Sequence, residues 1–539
     1  MSDAFTLKVR EPWPKGLHVL NTAQARSFAV ALLVVAVTVL IRSPYFGDPA
    51  ADPDEQLYSL IGQAWLEGEM PYRDLWDRKP PGLFAMFAGM HWIGGPSPLA
   101  YQIPGVACTA ASALMIYHLA KRIGTPTGAA VVTVLFLLNI PRFFMHLGQS
   151  ETFLVPILLL QLIGIASVLR NSDPAKVFRT LCGIMLLGGI ALQIKYSVLP
   201  FCALLAVLAT FRLWQMQLSF AQISASLCVF AFLGLLPTLI FAAYFASVGE
   251  FETFFFANFV SIFLRTEMYP RLVGYNLINL ATVIFPLAVY AVLSVITARK
   301  MREQIDGTLF VLTLLFALVG AFSLFMLGSP FVHYFGVTLP FICLAASSFF
   351  SFHPSRKIFN FLALALALWC TGFAEQRVHS SSHKNAIATL TKAIGTYVPD
   401  DECIFIFDGP SILYSKSQRC IPTRYAFTPH LNSFHEQTAL DVDPAAETAR
   451  ILAGQPGVIV VSETFNAPRY VSETRAMVRD AITKGYVLAE RTEFYPGMLE
   501  LYLRADLAPA DRDGIDRPAS VPCVIKHGNQ CQYFASFTN

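Results

Sequence analysis

The chain has 539 residues, 55% of them hydrophobic and only 14% charged, with a formal net charge of +3 and a mean hydropathy of +0.53. Soluble domains carry about a quarter charged residues, so the composition excludes an ordinary soluble protein and indicates an integral membrane protein. A net charge this small gives no case for a nucleic-acid partner; the partner the composition does imply is the lipid bilayer.

An N-terminal arm, 1–24, carries Lys8, Arg10 and Lys15. Apolar runs of the roughly 17–25 residues that cross a bilayer then recur near 25–42, 100–120, 126–141, 152–170, 178–194, 197–213, 220–246, 273–297, 308–327, 333–352 and 357–374. They predict about eleven transmembrane helices. A secretory signal peptide is the competing reading of 25–42, but the stretch before it is long and no small-x-small cleavage pattern precedes the next loop. Lys and Arg gather at Arg26, Lys121/Arg122, Arg170/Lys176/Arg179, Arg212, Arg299/Lys300/Arg302 and Arg356/Lys357. The positive-inside bias makes these ends cytoplasmic. Loops 43–99 and 247–272 and the C-terminal region are then outside.

The first external loop is the most distinctive segment. Eight acids fall between Ser43 and Gly82, whereas Leu83–Ala374 hold only seven. Within it, Leu57, Leu60, Ile61, Ala64 and Trp65 share one helical face over 54–68, and Leu83, Phe84, Met86, Phe87 and Met90 mark a second helix over 80–92. Both read as amphipathic helices lying on the outer membrane surface. Beyond 375 the composition becomes that of a soluble domain. Helices at 384–397, 444–454 and 471–484 alternate with strands at 403–407, 458–461, 486–491 and 498–504, a small α/β pattern. Four of the ten cysteines lie here, and nearest-neighbour pairing predicts Cys403–Cys420 and Cys523–Cys531 in an oxidising compartment.

Several residues could carry chemistry. Asp54 and Glu55 open the first loop helix, where a carboxylate can act as general base, ligate a metal, or simply cap the helix. Lys79 precedes Pro80-Pro81, which fix the backbone and start a helix; it is suited to a phosphate or to pairing with Asp74 or Asp77. Glu151, in the run His146-Leu-Gly-Gln-Ser-Glu151, and Lys195 are charges at the outer ends of spans, where a partner or a function is expected. Arg265 and Arg271 flank an outer loop and can hold phosphate oxygens in bidentate fashion. His333 and Tyr334 open a later span and offer hydrogen bonds to a headgroup. A divalent cation, magnesium or manganese, is compatible with the acids, although the sequence supplies no complete ligand set. No nucleotide-binding loop or H-E-x-x-H motif occurs in a supporting context.

The order Asp54-Glu55-x-x-Tyr58, then Leu66–Asp74, then Asp77-Arg-Lys79-Pro-Pro81 resembles the GT-C glycosyltransferases, in particular the lipid A aminoarabinose transferase and protein O-mannosyltransferase group. The resemblance covers 25–375 in topology and 52–95 in motif. It implies a polytopic helical enzyme with two interfacial helices that uses a polyprenyl-phosphate sugar and inverts the anomeric centre. It gives Asp54 the catalytic carboxylate and Lys79 a contact to lipid phosphate, with Lys195, Arg265, Arg271 and Tyr334 as further donor-phosphate candidates. Glu151 stands where the group commonly has Asp, and His146, His333 and Tyr58 are supporting residues. The chain then divides into the arm 1–24, a transmembrane catalytic region 25–375 and a periplasmic α/β domain 376–539. The expected reaction is sugar transfer to an envelope glycolipid or polysaccharide such as lipopolysaccharide, at the outer face of a bacterial inner membrane. A protein O-glycosyltransferase of the same fold and a lipid-linked sugar flippase are the alternatives. Against the flippase, the polar residues cluster at one face and no inverted repeat is visible.

Overall fold

The computed structural model describes residues 22–266, 270–324, 331–463, 471–509, 526–527 and 530–531. The basic arm before Thr22 and the Cys523–Cys531 pairing lie outside the described residues. Nineteen helices are described. They are α1 (Thr22–Arg42), α2 (Pro53–Leu66), α3 (Pro81–Gly94), α4 (Leu99–Ile123), α5 (Pro126–Asn139), α6 (Ser150–Val168), α7 (Pro174–Leu192), α8 (Leu199–Gln215), α9 (Phe220–Ser247), α10 (Phe251–Phe255), α11 (Pro270–Lys300), α12 (Gly307–Ser323), α13 (Leu339–Phe352), α14 (Arg356–Cys370), α15 (Phe373–Tyr397), α16 (Ile412–Ser417), α17 (Thr428–Asn432), α18 (Pro444–Ala453) and α19 (Ser472–Gly485). Four strands form the principal sheet: β1 (Ile404–Ile406), β2 (Val458–Ser462), β3 (Tyr486–Phe494) and β4 (Gly497–Arg504).

Each of the eleven apolar runs of the sequence becomes a helix. Among the described residues, eight helices are long and apolar enough to span a membrane, and the bent α11 makes a ninth. The shorter α12 and α13 are also apolar. In α13 every residue from Leu339 to Ser351 is buried, as expected of a helix that is apolar all round and enclosed by others. The α11 axis turns by 45° between Thr282 and Ile284. Pro286, which has no N–H to give the carbonyl four residues back, lies just beyond this bend. At the end of the bundle remote from α2 and α3, Asp306 holds Arg122 (3.0 Å) and Arg170 together. Three of the connections grouped by their basic residues therefore do meet at one end.

The first loop departs from the amphipathic expectation. Residues Glu55–Gly62 of α2 are buried without a break, because α3 covers one side and the C-terminal domain's α16 covers another. Gln56 accepts a hydrogen bond from the Ile412 backbone at 3.3 Å. Helix α3 does keep an exposed apolar end, at Trp92 and Ile93.

The composition break near 375 falls beside Gly372, whose φ of +63° separates α14 from α15. Helix α15 begins eleven residues ahead of the sequence expectation, at Phe373. The sheet order is β1-β2-β4-β3, with β1 and β2 parallel and the other pairs antiparallel. The β1–β2 crossover carries α16, α17 and α18. Cys403 and Cys420 are disulfide-bonded.

Candidate functional site

The N-cap of α2 is Asp52, not Asp54. Asp52 Oδ1 accepts the Asp54 backbone N–H at 2.8 Å, and Pro53 occupies the first helical position. Asp54 is thereby released from capping, and its Oδ1 lies 3.8 Å from Lys79 Nζ. Lys79 also lies 3.7 Å from Asp77 Oδ2, and its ammonium stands 5.1 Å from the Tyr58 ring centre. Asp74 is engaged by Arg73 instead.

The lysine is placed by the start of α3. A Cβ on Gly82 would fall 2.4 Å from the Gln193 Cβ, so only glycine lets α3 abut the end of α7. That contact brings Lys79 towards Lys195, which forms a buried ion pair with Glu151 at the start of α6. Ser150 Oγ donates to the other Glu151 oxygen at 2.9 Å. The Lys195 ammonium stands 4.0 Å from the Tyr334 ring centre, and Lys79 and Arg265 lie near the same residue. Lys79, Lys195 and Arg265 thus gather around Tyr334. His333 packs beside it, ring centres 4.7 Å apart, within electrostatic reach of Asp54 and Glu151.

Gln149 completes the acid side: its Nε2 donates to Asp52 Oδ1 at 3.1 Å and to Asp54 Oδ2 at 3.4 Å. It is held by close packing beneath it, where a Cβ on Gly105 would lie 1.9 Å from the Leu147 carbonyl oxygen. The two aspartates titrate apart. Burial, followed by the charge of Asp54, raises Asp52 to about 7. Burial also works to raise Asp54, but Lys79, His333 and Lys195 outweigh it and hold the carboxyl below its ordinary value. For Lys79 burial favours the neutral form, yet Asp54 and Asp77 keep it a cation with a raised pKa.

The remaining candidates divide. Glu55 is fully buried on another side of α2, near Gly148, Arg42 and Asp48, and does not join the Lys79 side. His146 packs at a tilt against Tyr45 and stacks on Phe144 beside that second group, where burial and then Arg42 lower it to about 3. The Arg271 side chain lies outside the described residues. Arg265 is close to Tyr334 but pairs with Glu436 of the C-terminal domain, as does Arg78. Sequence reasoning missed Asp52 as the cap, Gln149, and the partners His430 and Glu436. Gln149 lies inside a run already singled out, but nothing local marks His430 or Glu436, more than 350 residues along the chain from Lys79.

The set does not fit a magnesium or manganese centre. Lys79 and Lys195 stand where a metal would have to neutralise Asp54 and Glu151. Among the described residues no group of three or more His, Cys, Asp or Glu is disposed to hold an ion. The arrangement can instead hold an anion against three cations and a phenol, with an ionised carboxylate beside it.

A family model described as dolichyl-phosphate-mannose-protein mannosyltransferase matches residues 78–241. The crystal structure of ArnT from Cupriavidus metallidurans bound to undecaprenyl phosphate is similar, with a TM-score of 0.58 at 13% identity over 90% of this chain and 98% of that one. The apo state of the same protein gives the same figures. The Archaeoglobus fulgidus oligosaccharyltransferase tethered to an acceptor peptide has a TM-score of 0.48 at 12% identity, over 90% of this chain and 75% of that one. No curated protein matches this chain by sequence.

Proposed function

The chain has the GT-C fold, and from that premise we propose that it is an inverting glycosyltransferase using a polyprenyl-phosphate sugar. The acceptor is an envelope glycolipid or polysaccharide, and the site opens at the outer face of a bacterial inner membrane. The observation that carries this reading is the gathering of Lys79, Lys195 and Arg265 around Tyr334, with Asp54 3.8 Å from Lys79. The similar ArnT structure holds undecaprenyl phosphate, the class of lipid such a cationic group suits.

In this mechanism Lys79, Lys195 and Arg265 hold the donor phosphate, and Tyr334 donates its hydroxyl to a phosphate oxygen. Their charge stabilises the phosphate as it departs from the anomeric carbon. Asp54, kept ionised by the same cations, accepts a proton from the acceptor hydroxyl. The acceptor oxygen attacks from the face opposite the phosphate, so the new glycosidic bond has inverted configuration. Tyr58 supports Lys79 with its ring, and Gln149 orients Asp54. A second reading, transfer to a protein hydroxyl, is favoured by the description of the matched family; it uses the same donor side.

The test is transfer of radiolabelled sugar from a panel of polyprenyl-phosphate donors in membranes holding wild type or Asp54→Asn. Transfer should depend on wild type and fall by about a hundredfold or more in the variant. Wild-type turnover by Asp54→Asn would remove the general-base assignment. Supplying glycolipid and protein acceptors in parallel separates the two readings.

A further inference from the structure

The two cation-bearing segments of the site, 76–79 and 261–266, are fastened to a single stretch of the C-terminal domain, 424–441. Trp76 donates its backbone N–H to the Arg424 carbonyl at 2.8 Å, and its ring lies 4.8 Å from that of His430 and 5.6 Å from that of Tyr425. Asp77, which faces Lys79 through one oxygen, faces His430 Nε2 at 3.8 Å through the other. On the second segment, Ser261 Oγ donates to the Ala439 carbonyl at 2.6 Å, and the Thr266 and Thr438 hydroxyls are 2.9 Å apart. Glu436 joins the segments. Its buried carboxylate pairs with Arg78, the neighbour of Lys79, and with Arg265, whose Nε donates to Oε1 at 3.0 Å.

We propose that Glu436 is a positioning residue for the donor phosphate. By clamping Arg78 and Arg265 it fixes the spacing of Lys79 and Arg265 around Tyr334, so the C-terminal domain is a structural part of the donor site. The inference rests on the reading of Lys79 and Arg265 as phosphate ligands. The physical reason is charge balance: two buried guanidiniums drawn onto one carboxylate repel each other when that carboxylate is neutralised. Each then pulls its own segment away. Glu436 touches no reacting atom in this scheme, so its loss acts only through the placement of Lys79 and Arg265, on donor binding and on the departing phosphate alike.

The experiment uses the full chain in lipid nanodiscs, with undecaprenyl phosphate as the probe, and compares wild type, Glu436→Gln, Glu436→Asp and Asp480→Asn. Asp480 serves as the control because its exposed ion pair with Lys484 lies on α19 of the same domain without reaching Arg78 or Arg265. Glu436→Gln should weaken undecaprenyl phosphate binding by about tenfold or more, with sugar transfer falling at least as far because the same cations stabilise the departing phosphate. Amide hydrogen exchange should quicken across 74–80 and 261–266. Glu436→Asp should restore part of the affinity, and Asp480→Asn should alter neither readout. Wild-type affinity and exchange in Glu436→Gln would overturn the inference alone, as would an equal loss in Asp480→Asn. Failure of the wild-type protein to bind undecaprenyl phosphate would remove the donor reading and this inference with it.

Discussion

Lys195 reaches from the chain just beyond α7 to Glu151 at the start of α6, and the two form an ion pair whose side chains are 4% and 1% exposed. Removing one partner of such a pair leaves a buried uncompensated charge, at a cost of about 3–5 kcal/mol, whereas replacing both with well-packed apolar groups is often neutral. Glu151→Gln and Lys195→Met should therefore each lower thermal stability by about that amount, and the double variant Glu151→Leu/Lys195→Met should recover most of it. Lys195 also faces Tyr334, so stability should return in the double variant without sugar transfer. Recovery of both together would make the pair purely structural.

Asp52 gives the site a pH signature. Its folded pKa, about 7, stands above the ordinary value of 3.8, so the native state keeps a proton that the unfolded chain sheds. The unfolded state then binds fewer protons between about pH 4 and 7, and stability falls as pH rises through that window. Ionised Asp52 also adds negative charge beside Asp54 and the donor phosphate. Donor kcat/KM should decline as pH rises through about 7, and Asp52→Asn should flatten both this limb and the stability slope. A limb unchanged in Asp52→Asn would assign it to another group.

Much of this was legible in the sequence, for identifiable reasons. The apolar runs became helices because segments within a bilayer must satisfy their backbone groups internally and stay apolar against lipid or neighbouring helices, which leaves a strong signal even in the short, largely enclosed α5 and α13. The strands of the C-terminal domain and the Cys403–Cys420 pairing followed from local pattern. That Asp54 and Lys79 stand at the starts of two helices was legible because a proline adjoins each and fixes where the helix begins. Arg265 was legible as a cation but not as a partner of Glu436, because that pair spans 171 residues and depends on how the domain docks. Helix α2 was misread as one-faced for the same reason: Gln56 looks like a solvent residue until Ile412 meets it.

Gly105 is a mechanical support for the acid side of the site. A Cβ there would sit 1.9 Å from the Leu147 carbonyl oxygen, and backbone cannot yield as a flexible side chain does. Overpacking of this kind costs about 1–3 kcal/mol, and the displaced segment carries Gln149, which orients Asp54. Gly105→Ala should lower both stability and kcat. Gly274→Ala, at a glycine with no described atom near its Cβ position, should leave kcat unchanged and raise stability by up to about 1 kcal/mol through helix propensity. The comparison of thermal unfolding and turnover for the two variants decides the point.

Lys79 has two tasks in the proposed mechanism, and they can be separated. It binds the donor phosphate, and among the charges acting on Asp54 it is the largest that holds the carboxyl ionised. Lys79→Ala should therefore raise donor KM well above any change in acceptor KM. It should also move the acidic limb of kcat to higher pH, because Asp54 loses that cation while Asp77 remains nearby. A lysine that only buttressed the loop between Asp54 and Asp77 would raise both KM values together, through misfolding of the 76–80 segment. The measurement is a pair of substrate titrations at several pH values. The limb shift carries the most weight, since it requires the ammonium to act on Asp54 during turnover.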